Sequence, residues 1–206
     1  MDEYDRSSWE VRWSRALREH GDRVAQRPPN AQLTGELADL PPGRALDAGC
    51  GHGAETLWLA GRGWRVNAVD FAAAALAAAR SRAETLGPDV AERVEWVEAD
   101  LGTWTPQPEA YDLVACLYVH VAGPLEETVQ RLAAGVAPGG TLFLLGHRPV
   151  DPATGAPTAA AGQVQVSVEA ARAALDPERW ELVVAEERPR QSGDGVDAVI
   201  RARRVG

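Results

Sequence analysis

The segment 45–53 has the residue types and spacing that point most directly to ligand chemistry. It reads Ala-Leu-Asp-Ala-Gly-Cys-Gly-His-Gly, an apolar run that ends in Asp47 and is followed by glycines at alternate positions. Such a run is typical of the carboxyl end of a buried strand, and glycines permit backbone angles and close approaches that a Cβ forbids. We therefore predict a ligand-binding turn. Because Gly49, Gly51 and Ala54 also satisfy the dinucleotide fingerprint G-x-G-x-x-G/A, the turn alone does not identify the nucleoside.

Two further carboxylates follow predicted strands. Asp70 ends the second strand, 23 residues after Asp47, and Asp100 follows the third. Ligands of open parallel sheets bind outside the carboxyl ends of the strands, and a carboxylate at the spacing of Asp70 can accept both hydrogen bonds of a ribose diol. Asp47 inside the turn would repel a pyrophosphate and attract a sulfonium or ammonium group. The charges therefore favour a cationic nucleoside over a dinucleotide.

Composition narrows the classes of partner and chemistry. The formal net charge of −9 provides no excess positive field for a nucleic acid, so we predict a small-molecule substrate and no nucleic-acid partner. All 21 basic residues are arginine, which excludes Schiff-base chemistry and a Walker lysine. The chain begins without a basic segment followed by an apolar stretch, and its longest apolar run, 71–79, is too short to cross a bilayer. We expect a cytoplasmic protein with no membrane partner.

Apolar periodicity and the positions of glycine and proline predict alternating strands and helices in a single domain. Such alternation indicates a parallel sheet, and the last two strands, joined by the turn-prone segment 191–195, predict an antiparallel hairpin at one edge. The predicted strands are 44–48, 64–69, 93–97, 111–117, 141–146, 180–187 and 196–203. The predicted helices are 7–20, 31–40, 54–60, 72–86, 124–136 and 168–175.

With these motifs the chain resembles the class I S-adenosylmethionine-dependent methyltransferases over most of its length. Five matching segments occur in order, at 45–53, 66–71 (Val-Asn-Ala-Val-Asp-Phe), 97–101 (Val-Glu-Ala-Asp-Leu), 111–114 (Tyr-Asp-Leu-Val) and 137–142 (Ala-Pro-Gly-Gly-Thr-Leu). Within that superfamily, Trp-Glu-Val-Arg-Trp at 9–13 and Leu-Trp-Leu-Ala at 57–60 are most similar to the thiopurine methyltransferase and TehB group. The resemblance implies a Rossmann-like α/β fold with a seven-stranded, mostly parallel sheet of order 3-2-1-4-5-7-6, strand 7 being antiparallel.

The resemblance also implies which residues bind S-adenosylmethionine and release S-adenosylhomocysteine. Asp70 would hold the ribose, Asp100 and Leu101 would frame the adenine, and Phe71 would pack on the base. Trp9 and Trp13, four positions apart on one helical face, would close over the cofactor. The methionine end would be lined by Asp47, Ala48, Gly49, Cys50, Gly51, Cys116 and Leu117.

Three of the four histidines, His52, His120 and His147, follow predicted strands and are expected to point toward one face of the sheet. An imidazole could act as a general base, and His120 and then His147 are the candidates by position. Three histidines would also satisfy a zinc site in number, but methyl transfer from a sulfonium can proceed by alignment alone, so we predict no metal. Polar packing remains an alternative for each ring. The two cysteines are expected to be reduced, buried and without a catalytic role.

Taken together, these patterns predict methyl transfer to the oxygen, nitrogen or sulfur of a small acceptor by in-line displacement. In the single predicted domain, residues 1–30 form a helical cover, 31–147 the cofactor-binding core, and 148–206 a substrate loop and the C-terminal hairpin. Two alternatives remain open: an NAD-dependent oxidoreductase, because the fingerprint is shared, and a non-catalytic S-adenosylmethionine-binding regulatory module. The sequence does not define the oligomeric state.

Overall fold

The protein is described by a computed structural model that covers residues 6–120, 123–151, 154–158, 165–190 and 195–206. The chain divides into two compact units, residues 1–104 and 105–206. Whether they form the single predicted domain stays a prediction, and each unit is described by itself. Strands of both belong to a seven-stranded sheet, and the described helices and strands follow the predicted order.

The first unit contains five helices and three strands among its described residues. Parallel pairs join β1 to β2 and β2 to β3. Ala45, Leu46 and Ala48 on β1 are fully buried, as expected for a parallel strand that is covered on both faces. In chain order the elements are α1 (Arg6–Ala25), α2 (Ala31–Leu37), β1 (Arg44–Ala48), α3 (Ala54–Gly61), β2 (Arg65–Asp70), α4 (Ala73–Leu86), α5 (Pro88–Ala91) and β3 (Val94–Glu98).

The second unit contains two helices and four strands among its described residues. β4 and β5 are parallel, and β7 is antiparallel to both β5 and β6. The elements are β4 (Tyr111–Leu117), α6 (Leu125–Ala134), β5 (Val136–His147), α7 (Val168–Ala174), β6 (Trp180–Pro189) and β7 (Val196–Arg204). The sheet order is β3-β2-β1-β4-β5-β7-β6, which confirms the predicted Rossmann-like α/β fold and its edge hairpin.

The observed elements differ from the sequence prediction in several places. The first helix was expected to stop near residue 20 but is assigned to Ala25, with a kink at His20, whose φ of −142° is not helical. The short helix α5 was not predicted, since four residues give no periodic signal. β5 begins at Val136 instead of residue 141, because Val136 pairs with Tyr111 before a register shift. Segments 152–153, 159–164 and 191–194, which include most of the predicted hairpin turn, lie outside the described residues.

Gly53 provides a test of how α3 is seated. Its φ is +77°, and a Cβ built there would lie 2.9 Å from the Cβ of Ala79 on α4. Left-handed strain and overpacking together predict that Gly53→Ala lowers the free energy of unfolding by about 2–4 kcal/mol, measured by urea titration. Gly61→Ala is the matched control because no atom lies within 4 Å of its Cβ position. Equal unfolding midpoints for the two variants would contradict this packing.

Candidate cofactor and active site

The glycine turn after β1 is attached to the end of β2 by backbone hydrogen bonds. The amides of Gly49 and Cys50 both donate to the carbonyl of Val69, at 2.8 and 3.0 Å. Gly49 and Gly51 have φ of +82° and +50°, in the left-handed region that favours glycine. The turn therefore has a defined shape that side chains at these positions would strain.

Asp70, at the end of β2, fixes the turn from the other side. Its Oδ2 accepts from the amide of Gly51 and its Oδ1 from the amide of Ala72, both at 2.9 Å. Burial raises the pKa of Asp70, against the lowering effect of these donors. Because each carboxylate oxygen can accept more than one hydrogen bond, and the residue is only half-buried, both oxygens retain acceptor capacity for two hydroxyl groups.

Asp47 lies deeper than the sequence analysis envisaged. The residue is 2% exposed, and its Oδ2 accepts from Thr56 Oγ1 on α3 at 2.5 Å. Burial, with Glu55 as a second cause, raises the pKa of Asp47 to about 7. A positive charge bound nearby would favour the ionised form and so release a proton near neutral pH.

Trp13 packs on the glycine turn. A Cβ built at Gly51 would lie 2.8 Å from Trp13 Cζ2, and the Trp13 ring centroid is 5.6 Å from that of His52. For Trp9, the structure shows the Arg12 guanidinium 5.2 Å from the ring centroid. Burial lowers the pKa of His52 to about 4, and its Nε2 is buried without a hydrogen-bond partner among the described residues. Trp13 therefore lies against the turn.

The remaining predicted cofactor residues of the first unit lie at or just after the ends of β1, β2 and β3. The amide of Ala99 donates to the carbonyl of Asp70 at 3.0 Å, which ties the end of β3 to the end of β2. Asp100 is exposed and accepts from the amide of Gly102 at 2.8 Å. Leu101 is buried and Phe71 half-buried, while Ala48 and Cys50 are buried. Burial raises the pKa of the Cys50 thiol well above its usual value, so the thiol stays protonated.

The second unit holds a polar cluster centred on Asp197, which is 2% exposed. Its Oδ2 accepts from Tyr118 Oη at 2.8 Å, and its Oδ1 lies 2.8 Å from His147 Nδ1 and 3.1 Å from Arg190 Nε. Burial alone would raise the pKa of Asp197, but hydrogen bonds from His147, Tyr118 and Arg190 hold it below its usual value. Asp197 is therefore an ionised acceptor, and His147 Nδ1 must be the donor in their contact.

The contacts of Gln165 determine which nitrogen of His120 accepts a hydrogen bond. Its Oε1 accepts from the amide of His147 at 2.6 Å, and its Nε2 donates to the carbonyl of Tyr118 at 3.2 Å. The same Nε2 lies 2.7 Å from His120 Nε2, which must accept because an amide nitrogen only donates. The lone pair of His120 Nε2 is thus engaged, whereas His147 Nε2 has no hydrogen-bond partner within the described segments.

The sequence analysis missed part of this second cluster. Asp197, Gln165 and Arg190 lie in or beside segments with no recognisable motif, and only the antiparallel register that pairs His147 with Asp197 brings them together. Thr56 in the first unit was missed for the same reason, since its contact depends on how α3 is seated. The predicted residues Cys116 and Leu117 are buried and half-buried on β4, directly before Tyr118.

Within the ranges that the structure describes, no three His, Cys, Asp or Glu side chains are grouped so that they could hold a metal ion. Among the helices in those ranges, none has both the length and the apolar character needed to cross a membrane.

The raised pKa of Asp47 predicts a pH dependence of stability. The folded protein binds the Asp47 proton more tightly than the unfolded chain does. The neutral carboxyl therefore contributes stability below about pH 4, and this contribution is lost as the pH rises to about 7. Asp47→Asn keeps the contact with Thr56 without titrating, so the variant should gain stability relative to the parent from pH 5 to pH 8. Urea titrations at both pH values measure the change, and a parallel pH response of the two proteins would contradict the buried position of the carboxyl.

Comparison with known proteins places this geometry in context. Residues 45–140 match the family described as Methyltransferase domain. The chain is 38% identical over 122 residues to the ubiquinone biosynthesis O-methyltransferase of Xanthomonas campestris pv. campestris (strain B100), covering 58% of this chain and 49% of that protein. It is 37% identical over 146 residues to the trans-aconitate 2-methyltransferase of Streptomyces avermitilis, covering 66% of this chain and 49% of that protein. The chain thus spans about half the length of these curated relatives.

A solved structure supports the fold. The N-methyltransferase NodS from Bradyrhizobium japonicum WM9, in complex with S-adenosyl-L-homocysteine, superposes with a TM-score of 0.64 at 21% identity. The match covers 89% of this chain and 86% of that one. Residues 45–140 are thus similar to a methyltransferase domain, and the chain shares the fold of this solved methyltransferase structure.

Proposed function

We propose that this chain transfers the methyl group of S-adenosylmethionine to an oxygen, nitrogen or sulfur atom of a small-molecule acceptor. The observation that carries the proposal is the glycine turn held by the carboxylate of Asp70, which accepts from the Gly51 and Ala72 amides and keeps acceptor capacity for two hydroxyl groups. A ribose diol has the matching pair of donors. A tight glycine turn beside a hydroxyl-binding carboxylate suits a nucleoside whose ribose carries a substituent that extends along the turn.

The residues present fit that cofactor. Asp70 would bind the ribose, and Asp100 and Leu101 would frame the adenine, with Phe71 against the base. Burial raises the pKa values of Asp47 and of the half-buried Asp70, and a sulfonium or ammonium charge nearby would stabilise their ionised forms. A pyrophosphate would instead add negative charge beside them, which argues against the NAD-dependent alternative. The other proposed cofactor residues are Trp9, Trp13, Ala48, Gly49, Cys50, Gly51, Cys116 and Leu117.

When bound, S-adenosylmethionine supplies an electrophilic methyl group on a positively charged sulfur. The protein's part is then to orient the two reactants and to exclude water. Trp13 is suited to the second task because its ring already covers the turn at Gly51. His147 is the favoured candidate base and His120 the second. Among the described residues, the Nε2 lone pair of His120 accepts from Gln165, whereas that of His147 has no hydrogen-bond partner.

Two observations support a small molecule as the methyl acceptor. The chain's relatives bear names that refer to small molecules, ubiquinone biosynthesis and trans-aconitate. The net charge of −9 disfavours a polyanionic substrate. The narrower resemblance to the thiopurine methyltransferase and TehB group stays a prediction, and with it methylation of a thiol.

Calorimetry and a product assay test the proposal. The protein should bind S-adenosylhomocysteine with micromolar affinity or better and should release it from S-adenosylmethionine when a suitable acceptor is present. Micromolar binding of NAD without a response to S-adenosylhomocysteine would overturn the proposal in favour of an oxidoreductase. Tight binding of S-adenosylmethionine with no turnover across a broad panel of hydroxyl, thiol, amine and carboxylate acceptors would favour a non-catalytic binding module.

The ribose role of Asp70 makes a quantitative prediction. Asp70→Ala should weaken S-adenosylhomocysteine binding by about 1.5–3 kcal/mol, roughly 10- to 150-fold, because charged hydrogen bonds to the diol are lost. Asp89→Ala, which removes an exposed carboxylate of the same unit, is the matched control and should bind as the parent does. Thermal unfolding of both variants checks that the turn stays folded. Unchanged affinity in a folded Asp70→Ala protein would refute the assignment.

A further inference from the structure

We infer that His147 and Asp197 form a proton-accepting dyad, steadied by Tyr118, for acceptors that carry a weakly acidic hydroxyl group. The inference rests on the proposed function and adds to it the class of acceptor and the roles of residues that no motif marks. Three donors, from Tyr118, His147 and Arg190, meet at one buried carboxylate, and their geometry leaves His147 Nε2 as the reactive atom.

The tautomer of His147 follows from its partner. Asp197 is ionised and can only accept, so the proton of a neutral His147 ring is on Nδ1, 2.8 Å from Asp197 Oδ1. The lone pair is then on Nε2, which has no hydrogen-bond partner in the described part of the chain. With 24% of its side chain exposed, the ring is accessible to a small molecule.

Tyr118 holds this ring in place at a conformational cost. It has a φ of +56°, which is strained for a residue with a Cβ. In that conformation its ring stacks on His147, with centroids 3.9 Å apart, while its hydroxyl donates to Asp197 at 2.8 Å. Strained backbone of this kind persists where surrounding contacts hold it in place. Here the strained conformation of Tyr118 places its ring against His147 and so fixes the orientation of the imidazole.

Other polar groups surround the ring. Asp197 accepts from His147 Nδ1, and Arg190 donates to the same Oδ1 at 3.1 Å. Gln165, the Tyr118 hydroxyl and His120, linked through Gln165, belong to the same cluster. A neutral imidazole whose Nδ1–H is held by a carboxylate is an arrangement suited to a general base.

An acceptor hydroxyl loses its proton to His147 as its oxygen takes the methyl group. The oxygen–hydrogen bond breaks, its proton passes to His147 Nε2, and its electron pair remains on oxygen to form the bond to the methyl carbon. The pair of the sulfur–methyl bond stays on sulfur, and the imidazolium later gives its proton to water. A carboxylate acceptor is already ionised at neutral pH and needs no such base, so the dyad selects for phenol- or enol-type hydroxyls.

The experiment uses His147→Gln and Asp197→Asn in the full-length protein, with Glu181→Gln, an exposed carboxylate on β6, as the control. Long-range proton–nitrogen spectra should show His147 of the parent protonated on Nδ1. A parent His147 protonated on Nε2 would overturn the dyad without any assay of turnover.

Turnover of matched phenols and benzoates supplies the second readout. With phenols, His147→Gln should lower kcat by about 10²–10⁴-fold and Asp197→Asn by a smaller factor, while S-adenosylhomocysteine affinity stays within about twofold of the parent. With benzoates, and in Glu181→Gln, rates should be unchanged. Parent-like phenol turnover by His147→Gln would overturn the inference and leave methyl transfer standing. A parent that binds no S-adenosylhomocysteine would overturn the proposed function instead, while the spectra still decide the dyad.

Discussion

One carboxylate determines the shape of the proposed cofactor site. Asp70 accepts hydrogen bonds from the amides of Gly51 and Ala72, and so connects the glycine turn with the start of α4. The left-handed glycines, the attachment to Val69 and the contact of Trp13 with Gly51 all depend on that turn keeping its conformation. A ligand that hydrogen-bonds to Asp70 therefore meets a carboxylate that is already oriented, with no reorganisation of the turn.

The first unit contains three acidic side chains near one another, whose negative charges repel. Asp47, Glu55 and Asp70 all have pKa values raised chiefly by burial, and for Asp47 the charges of the other two add to the effect. Such a group is costly when fully ionised, and a bound cation reduces that cost. The buried carboxylate of the second unit is different, because three donors surround Asp197 and hold its pKa low. The first set suits a cationic ligand, whereas the second orients a neutral base.

Sequence reasoning identified the features that depend on local pattern. The glycine turn, the acids at the ends of β1 and β2, and the parallel sheet were predictable because turn chemistry and the alternation of strand and helix show in consecutive residues. The strand order was expected only from the resemblance to a known family. The partners of those residues were not predictable. Thr56 contacts Asp47 through the seating of α3, and Asp197 reaches His147 only through the register of an antiparallel pair. The preference for His147 over His120 likewise required the orientation of the Gln165 amide.

Amide NMR of the glycine turn can show whether this segment binds S-adenosylmethionine. The chain has 20 glycines, so selective labelling of glycine nitrogen gives a spectrum that can be assigned. On titration with S-adenosylhomocysteine, the amide signals of Gly49 and Gly51 should shift together and saturate at one equivalent, whereas that of the distant Gly21 in α1 should not move. Saturable shifts with NAD instead, or unmoved turn signals at a saturating concentration of S-adenosylhomocysteine, would contradict the account.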